Sequence, residues 1–143
     1  MRTIVKTSPE AEPEAGRPLR VLVVEDDAEI NDALADVLRE EGFEVHCARD
    51  GREALDALHG GLRTDVIVLD LVMPRMSGWE FRSLQRASPD RAIAAIPVAV
   101  VSAYLRPSDQ DSLRPDAMLT KPLGLVALAE LRRVAEASRR AAP

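Results

Sequence analysis

Five short apolar runs, LRVLVV, FEVHCA, DVIVLD, PVAVVS and DAMLT, punctuate this chain and leave room for a helix between each pair. Runs of this length, rich in Val, Leu and Ile, are expected of strands buried on both faces. The segments between them carry apolar residues at helical spacing. Residues 28–41 set Ile30, Leu34, Val37 and Leu38 on one face and stop at Gly42. Asp50-Gly51 turns into a short helix with Ala54, Leu55 and Leu58 inward. Pro74 and Gly78 bracket a loop before a third helix near 79–87. Pro107 and Pro115 leave the fourth helix about two turns. The last helix spans 123–140, with Leu125, Leu128, Leu131 and Val134 inward. Alternating strands and helices imply a parallel sheet with right-handed crossovers. The predicted fold is α/β: a doubly wound, five-stranded parallel sheet, order 2-1-3-4-5, flanked by five helices.

A chain of 143 residues supports one core, and the folded domain is expected at 19–140. Residues 1–18 hold Pro9, Pro13, Pro18, Gly16 and three glutamates, and read as a mobile tail. Aromatics make up only 3% of the chain, so the core must be aliphatic. A net charge of −5 disfavours wrapping a phosphate backbone, and no basic patch suggests direct nucleic-acid contact. Arg132, Arg133, Arg139 and Arg140 read as complements to a helix dipole and as a solvated surface. No run is long enough to span a membrane, and no secretory signal is evident, so a cytoplasmic location is expected. Cys47 is the single cysteine, which excludes an internal disulfide; it reads as a buried, inert thiol in the second strand.

The polar residues at the strand ends carry the chemistry. Glu25 and Asp26 follow the first strand, Asp70 ends the third, Ser102 the fourth, and Lys121-Pro122 follows the fifth. The carboxyl ends of parallel strands share one edge, where ligands bind. Three carboxylates, a hydroxyl and an ammonium would therefore converge. Mg²⁺ prefers oxygen ligands and is commonly held by one or two carboxylates with phosphate oxygens. Asp26 and Asp70 would supply them directly, Glu25 through water, and the Val72 backbone carbonyl would add a ligand. Asp70 is the candidate nucleophile, with Lys121 and Ser102 stabilising phosphoryl oxygens.

Each residue also has a plain reading: Asp26-Asp27 as helix-start acids, Ser102 as a turn residue, Lys121 as a surface charge. Singly those readings prevail; jointly, one residue per strand end, the site reading prevails. His46 and His59 lack partners at metal-ligand spacing. Trp79, Met73 and Met76 read as packing residues.

On VLVVEDD, DGREALDAL, DVIVLDLVMPRMSGWE, IPVAVVSA and LTKPL, the chain resembles the receiver domain of two-component response regulators, of the chemotaxis-receiver type. The resemblance covers about 19–140. It implies that Asp70 takes a phosphoryl group from the phosphohistidine of a sensor histidine kinase or phosphotransfer protein. It implies Glu25 and Asp26 as the acidic pair on Mg²⁺, Ser102 as the switch hydroxyl and Lys121 as the phosphate-sensing lysine. Lys121-Pro122 becomes a candidate cis peptide. The module would be a phosphoacceptor, not an enzyme, and would switch contacts with a downstream protein target.

Two departures stand out. Met118 occupies the place of the family's usual aromatic switch residue. The segment from Ser102 to Lys121 is shorter than usual by roughly one helical turn. Val72 and Tyr104, expected to flank the phosphoryl group, offer no carboxylate or amide to orient water, which predicts slow self-dephosphorylation.

Three other functions compete with this reading. A receiver-like adaptor acting without phosphorylation is the main one, because of Met118 and the short fourth helix. A Mg²⁺-dependent aspartyl-phosphate phosphatase needs a second acid two residues after the nucleophile, where Val72 stands. A nucleotide-binding domain wants a glycine-rich turn where Glu25-Asp26-Asp27 stands. No output domain is read in the chain, so a stand-alone receiver or one domain of a larger regulator is expected.

Overall fold

The computed structural model describes residues 16–102 and 106–141. Most of the predicted tail, and Tyr104, lie outside the described residues. The strands are β1 (Arg20–Val24), β2 (Glu44–Ala48), β3 (Val66–Asp70), β4 (Val98–Ser102) and β5 (Ala117–Thr120). They form one parallel sheet in the order β2-β1-β3-β4-β5, as predicted. Its inner strands are buried on both faces, which is why they read as unbroken apolar runs.

The helices are α1 (Ala28–Glu40), α2 (Gly51–His59), α3 (Gly78–Arg86), α4 (Arg91–Ala94), α5 (Pro107–Leu113) and α6 (Leu125–Ala141). Among the described residues six helices stand where five are expected. The addition, α4, is a single four-residue turn capped by Asp90, too short to show a period in sequence. The short helix expected between the fourth and fifth strands is α5, with seven residues.

Alternation along the strands splits the core in two. Val21, Val23, Val66, Val68, Ala99, Val101 and Leu119 face α1 and α6. Leu22, Val24, Ile67, Leu69, Val98 and Val100 face α2, α3 and α5, with Phe81 fully buried among them.

Four expectations about side chains need correction. In α1 the buried stripe is Asn31, Ala35 and Leu38, and Ile30 and Val37 are exposed. The helix is turned so that polar Asn31 points inward, which an apolar count could not register. In α6, Leu128, Leu131 and Val134 are buried as expected, but Leu125, in the first turn, is 79% exposed. Cys47 is only half-buried, because β2 is an edge strand paired to β1 alone. Desolvation raises its pKa, with Asp32 and Asp36 adding to the rise and Arg39 opposing it.

The C-terminal arginines are structural ties as well as surface charges. Arg139 pairs with Asp65 at 2.6 Å and donates to the carbonyls of Arg17 and Pro18. Arg132 lies over the Phe43 ring at 4.7 Å and donates to the Glu41 carbonyl. Their chain partners are distant in sequence, so no local pattern announces them.

A second set of ties holds α5. Arg82, buried in α3, donates to the carbonyls of Leu113 (2.9 Å) and Arg114 (2.7 Å) and to Gln85 Oε1 (2.9 Å). It also stands 3.6 Å from Asp116. Gln85 in turn donates to the carbonyls of Ile93 and Ile96. The guanidinium thus satisfies carbonyls that the end of α5 leaves open.

Candidate functional site

The sheet brings the predicted residues to its carboxyl edge. Asp70 is the last residue of β3, in register with Val101, one place before Ser102 at the end of β4. Glu25 and Asp26 leave β1, and Lys121 follows β5. One carboxylate oxygen each from Glu25, Asp26 and Asp70 lies within 4.8 Å of the others. Lys121 Nζ donates to Glu25 Oε1 at 3.1 Å and stands 3.7 Å from Asp70 Oδ1. The Lys121-Pro122 peptide is cis, as the resemblance implied.

Burial within this cluster is graded. Glu25 is almost fully buried, Asp70 half-buried, and Asp26 exposed. Desolvation pushes the Asp70 carboxyl up from the usual range, and the charge of Glu25, then Asp26, adds to the rise while Lys121 opposes it. For Lys121, burial works to lower the pKa, but the Glu25 hydrogen bond and the Asp70 and Glu25 charges raise it on balance. Negative charge is in excess here, and three acidic oxygens form a hard donor set. The residues fit a divalent cation of the Mg²⁺ type.

The loop after Asp70 is shaped by close backbone contact. Gly78 N donates to Leu71 O at 2.8 Å. A Cβ at Gly78 would lie 2.7 Å from both Asp70 O and Leu71 Cα, so only glycine allows this approach. Ser77 and Glu80 complete a capping box that starts α3 immediately afterwards. Met73 and Met76 are buried in the adjoining core, and Trp79 packs at its edge. Arg75 takes a positive φ of 67° and reaches Asp50 Oδ2 at 2.6 Å. The Glu53 backbone N–H, then Arg75, holds the Asp50 carboxyl below its usual range. Val72, between Asp70 and this turn, is 78% exposed.

A family model described as the response regulator receiver domain matches residues 21–133. The chain belongs to this family. The receiver domain is 39% identical over 123 residues to the alkaline phosphatase synthesis transcriptional regulatory protein SphR of Synechococcus elongatus, covering 78% of this chain and 46% of that one. It is 36% identical over 126 residues to the response regulator MprA of Mycobacterium sp. strain KMS, covering 88% and 53%. The chain thus spans about half the length of the curated relatives it matches. Among solved structures, the receiver domain is similar to the chemotaxis response regulator CheY4 of Vibrio cholerae, with 31% identity and a TM-score of 0.70 over 82% of this chain and 98% of that one. It is also similar to the response regulator TrrA of Thermotoga maritima, solved in complex with Mg²⁺-BeF, with 31% identity and a TM-score of 0.69 over 81% and 98%.

Four polar residues that carried no expectation from the sequence, Asn31, Arg75, Arg82 and Gln85, make side-chain hydrogen bonds beside the site or between its flanking helices. Only the Ser77-x-x-Glu80 capping box left a readable local signal. Met118 sits on edge strand β5, 40% exposed, and offers no ring. Among the described residues, no helix is long and apolar enough to cross a membrane.

Proposed function

We propose that this receiver domain is a cytoplasmic phosphoacceptor of a two-component phosphorelay, with Asp70 taking the phosphoryl group from a phosphohistidine. The observation that carries this reading is the convergence of Glu25, Asp26 and Lys121 on Asp70. An Asp70 carboxylate oxygen forms a bond to phosphorus as the N–P bond of the donor breaks, and the departing imidazole keeps the electron pair. The product is an acyl phosphate. Lys121 offsets charge on the phosphoryl oxygens, and the Ser102 hydroxyl donates to one of them. Glu25 and Asp26, with Asp70 and the Val72 carbonyl, would hold Mg²⁺, which supplies charge neutralisation and alignment when bound. The chain acts as acceptor and switch rather than as an enzyme with turnover. Its partners are a sensor histidine kinase or phosphotransfer protein and a downstream protein target. SphR is described as a transcriptional regulatory protein, so a link to transcription is also proposed for any longer protein that carries this domain.

Acetyl phosphate with Mg²⁺ tests the reading by intact mass. The wild type should gain one phosphoryl group and Asp70→Asn none. No gain in the wild type would put the adaptor reading ahead, a reading favoured by exposed Met118 and the short α5.

A further inference from the structure

We infer that Asn31 is a positioning residue for the acidic site, holding the turn that presents Glu25 and Asp26. The inference rests on reading Glu25, Asp26 and Asp70 as a cation site. Asn31 lies in α1 and is 2% exposed. Its Nδ2 donates to Glu25 O at 2.9 Å and to Ala48 O at 3.1 Å. Ala48 O also accepts from Glu25 N at 3.1 Å. Both peptide groups flanking the Glu25 Cα are therefore tied to the end of β2, one directly and one through a single carboxamide.

The clamp is itself held. Asn31 N donates to Asp27 O at 2.9 Å, Asp27 caps α1 through Ile30 N, and Asp27 N donates to Glu25 Oε2 at 3.2 Å. Without a cation, three close carboxylates repel one another. Asp70 is carried by a central strand, whereas Glu25 and Asp26 sit on a turn that repulsion can spread. The two Asn31 donors oppose that spreading.

Space-filling alone does not account for an asparagine here. Its Oδ1 is buried with no hydrogen-bond partner among the described residues. An unpaired buried acceptor is destabilising, and a leucine of similar volume would avoid it. What leucine lacks is the pair of donors. A positioning role therefore separates from a stabilising one: loss of the donors should harm the site more than the fold.

Asn31→Leu tests this with two readouts. In metal-free protein, hydrogen exchange at the Glu25 and Asp27 amides should rise at least about tenfold while Ile67–Leu69 amides stay protected. Calorimetric titration with Mg²⁺ alone should show affinity about tenfold weaker than wild type, the scale typical of residues that orient metal ligands. Ala33→Ser, on the exposed side of the same helix, should change neither. If Asn31→Leu does not fold, Asn31→Ala is read in the same way. Unchanged exchange at Glu25 and Asp27 overturns the inference, as does wild-type Mg²⁺ affinity in the variants. If the wild type takes up no Mg²⁺, the cation reading fails, and the exchange measurement alone decides the clamp.

Discussion

Lys121 Nζ is nearer to Glu25, at 3.1 Å, than to Asp70, at 3.7 Å. The ammonium is shared between a buried carboxylate and the acceptor, leaning towards the first. Replacing it with Lys121→Met should raise the Asp70 pKa further, because the cationic charge that opposes the rise is lost. Carbon-detected NMR titration of the Asp70 carboxyl reads the direction, and an unchanged or lower value would show that the lysine does not act on Asp70.

The raised Asp70 pKa fixes the sign of a pH effect. The folded state holds this proton to higher pH than the unfolded chain does. Between those two values the unfolded state binds fewer protons, so the Asp70 contribution to stability falls as pH rises. Asp70→Asn should therefore stabilise metal-free protein at pH 7, read as a higher Tm than the wild type's. The gain should shrink as pH is lowered through the carboxylate range and also when Mg²⁺ is added to both proteins. Calorimetric Tm values across pH provide the check.

Gly78→Ala should lower stability by about 2–3 kcal/mol, since the new methyl meets backbone atoms that cannot swing aside. The same change should displace the Asp70 peptide and slow acetyl phosphate labelling. Urea midpoints and labelling rates are the two measurements. A variant with normal values of both would mean that the loop after β3 relaxes freely.

Arg82→Met should cost about 2–4 kcal/mol, because it leaves the Leu113 and Arg114 carbonyls without their donor. Exchange protection should fall first in α5. Equal loss across the sheet would instead indicate a general packing defect.

Self-dephosphorylation should be slow, on the order of minutes or longer, because the exposed Val72 cannot orient an attacking water. Val72→Asp or Val72→Asn should shorten the lifetime of the phosphorylated form. Decay of the intact-mass signal with Mg²⁺ present gives the rate; loss within seconds in the wild type contradicts the expectation.

The strand order and the five polar residues at the sheet edge were legible because each follows an apolar run whose length and composition are local properties. Asp70 and Lys121 needed no tertiary knowledge beyond the parallel topology. The braces were not legible, for the opposite reason. Arg82 reaches carbonyls 31 and 32 residues away, and Asn31 reaches one 17 residues away. Backbone carbonyls have no residue signature, so a side chain that binds them looks in sequence like any polar residue on a helix. Ile30 and Leu125 were misplaced by the same blindness: periodicity gives a stripe but not the rotation that an inward polar group or a helix end imposes. Turn α4 is too short to carry a period at all.

The buried guanidinium of Arg82 gives α5 an anchor. Its C-terminal end at Leu113 is pinned to α3, while Pro107 at the other end stands only five residues beyond Ser102. The anchored end of α5 is thus the one farther along the chain from Ser102, and its footing lies in α3 rather than in the sheet.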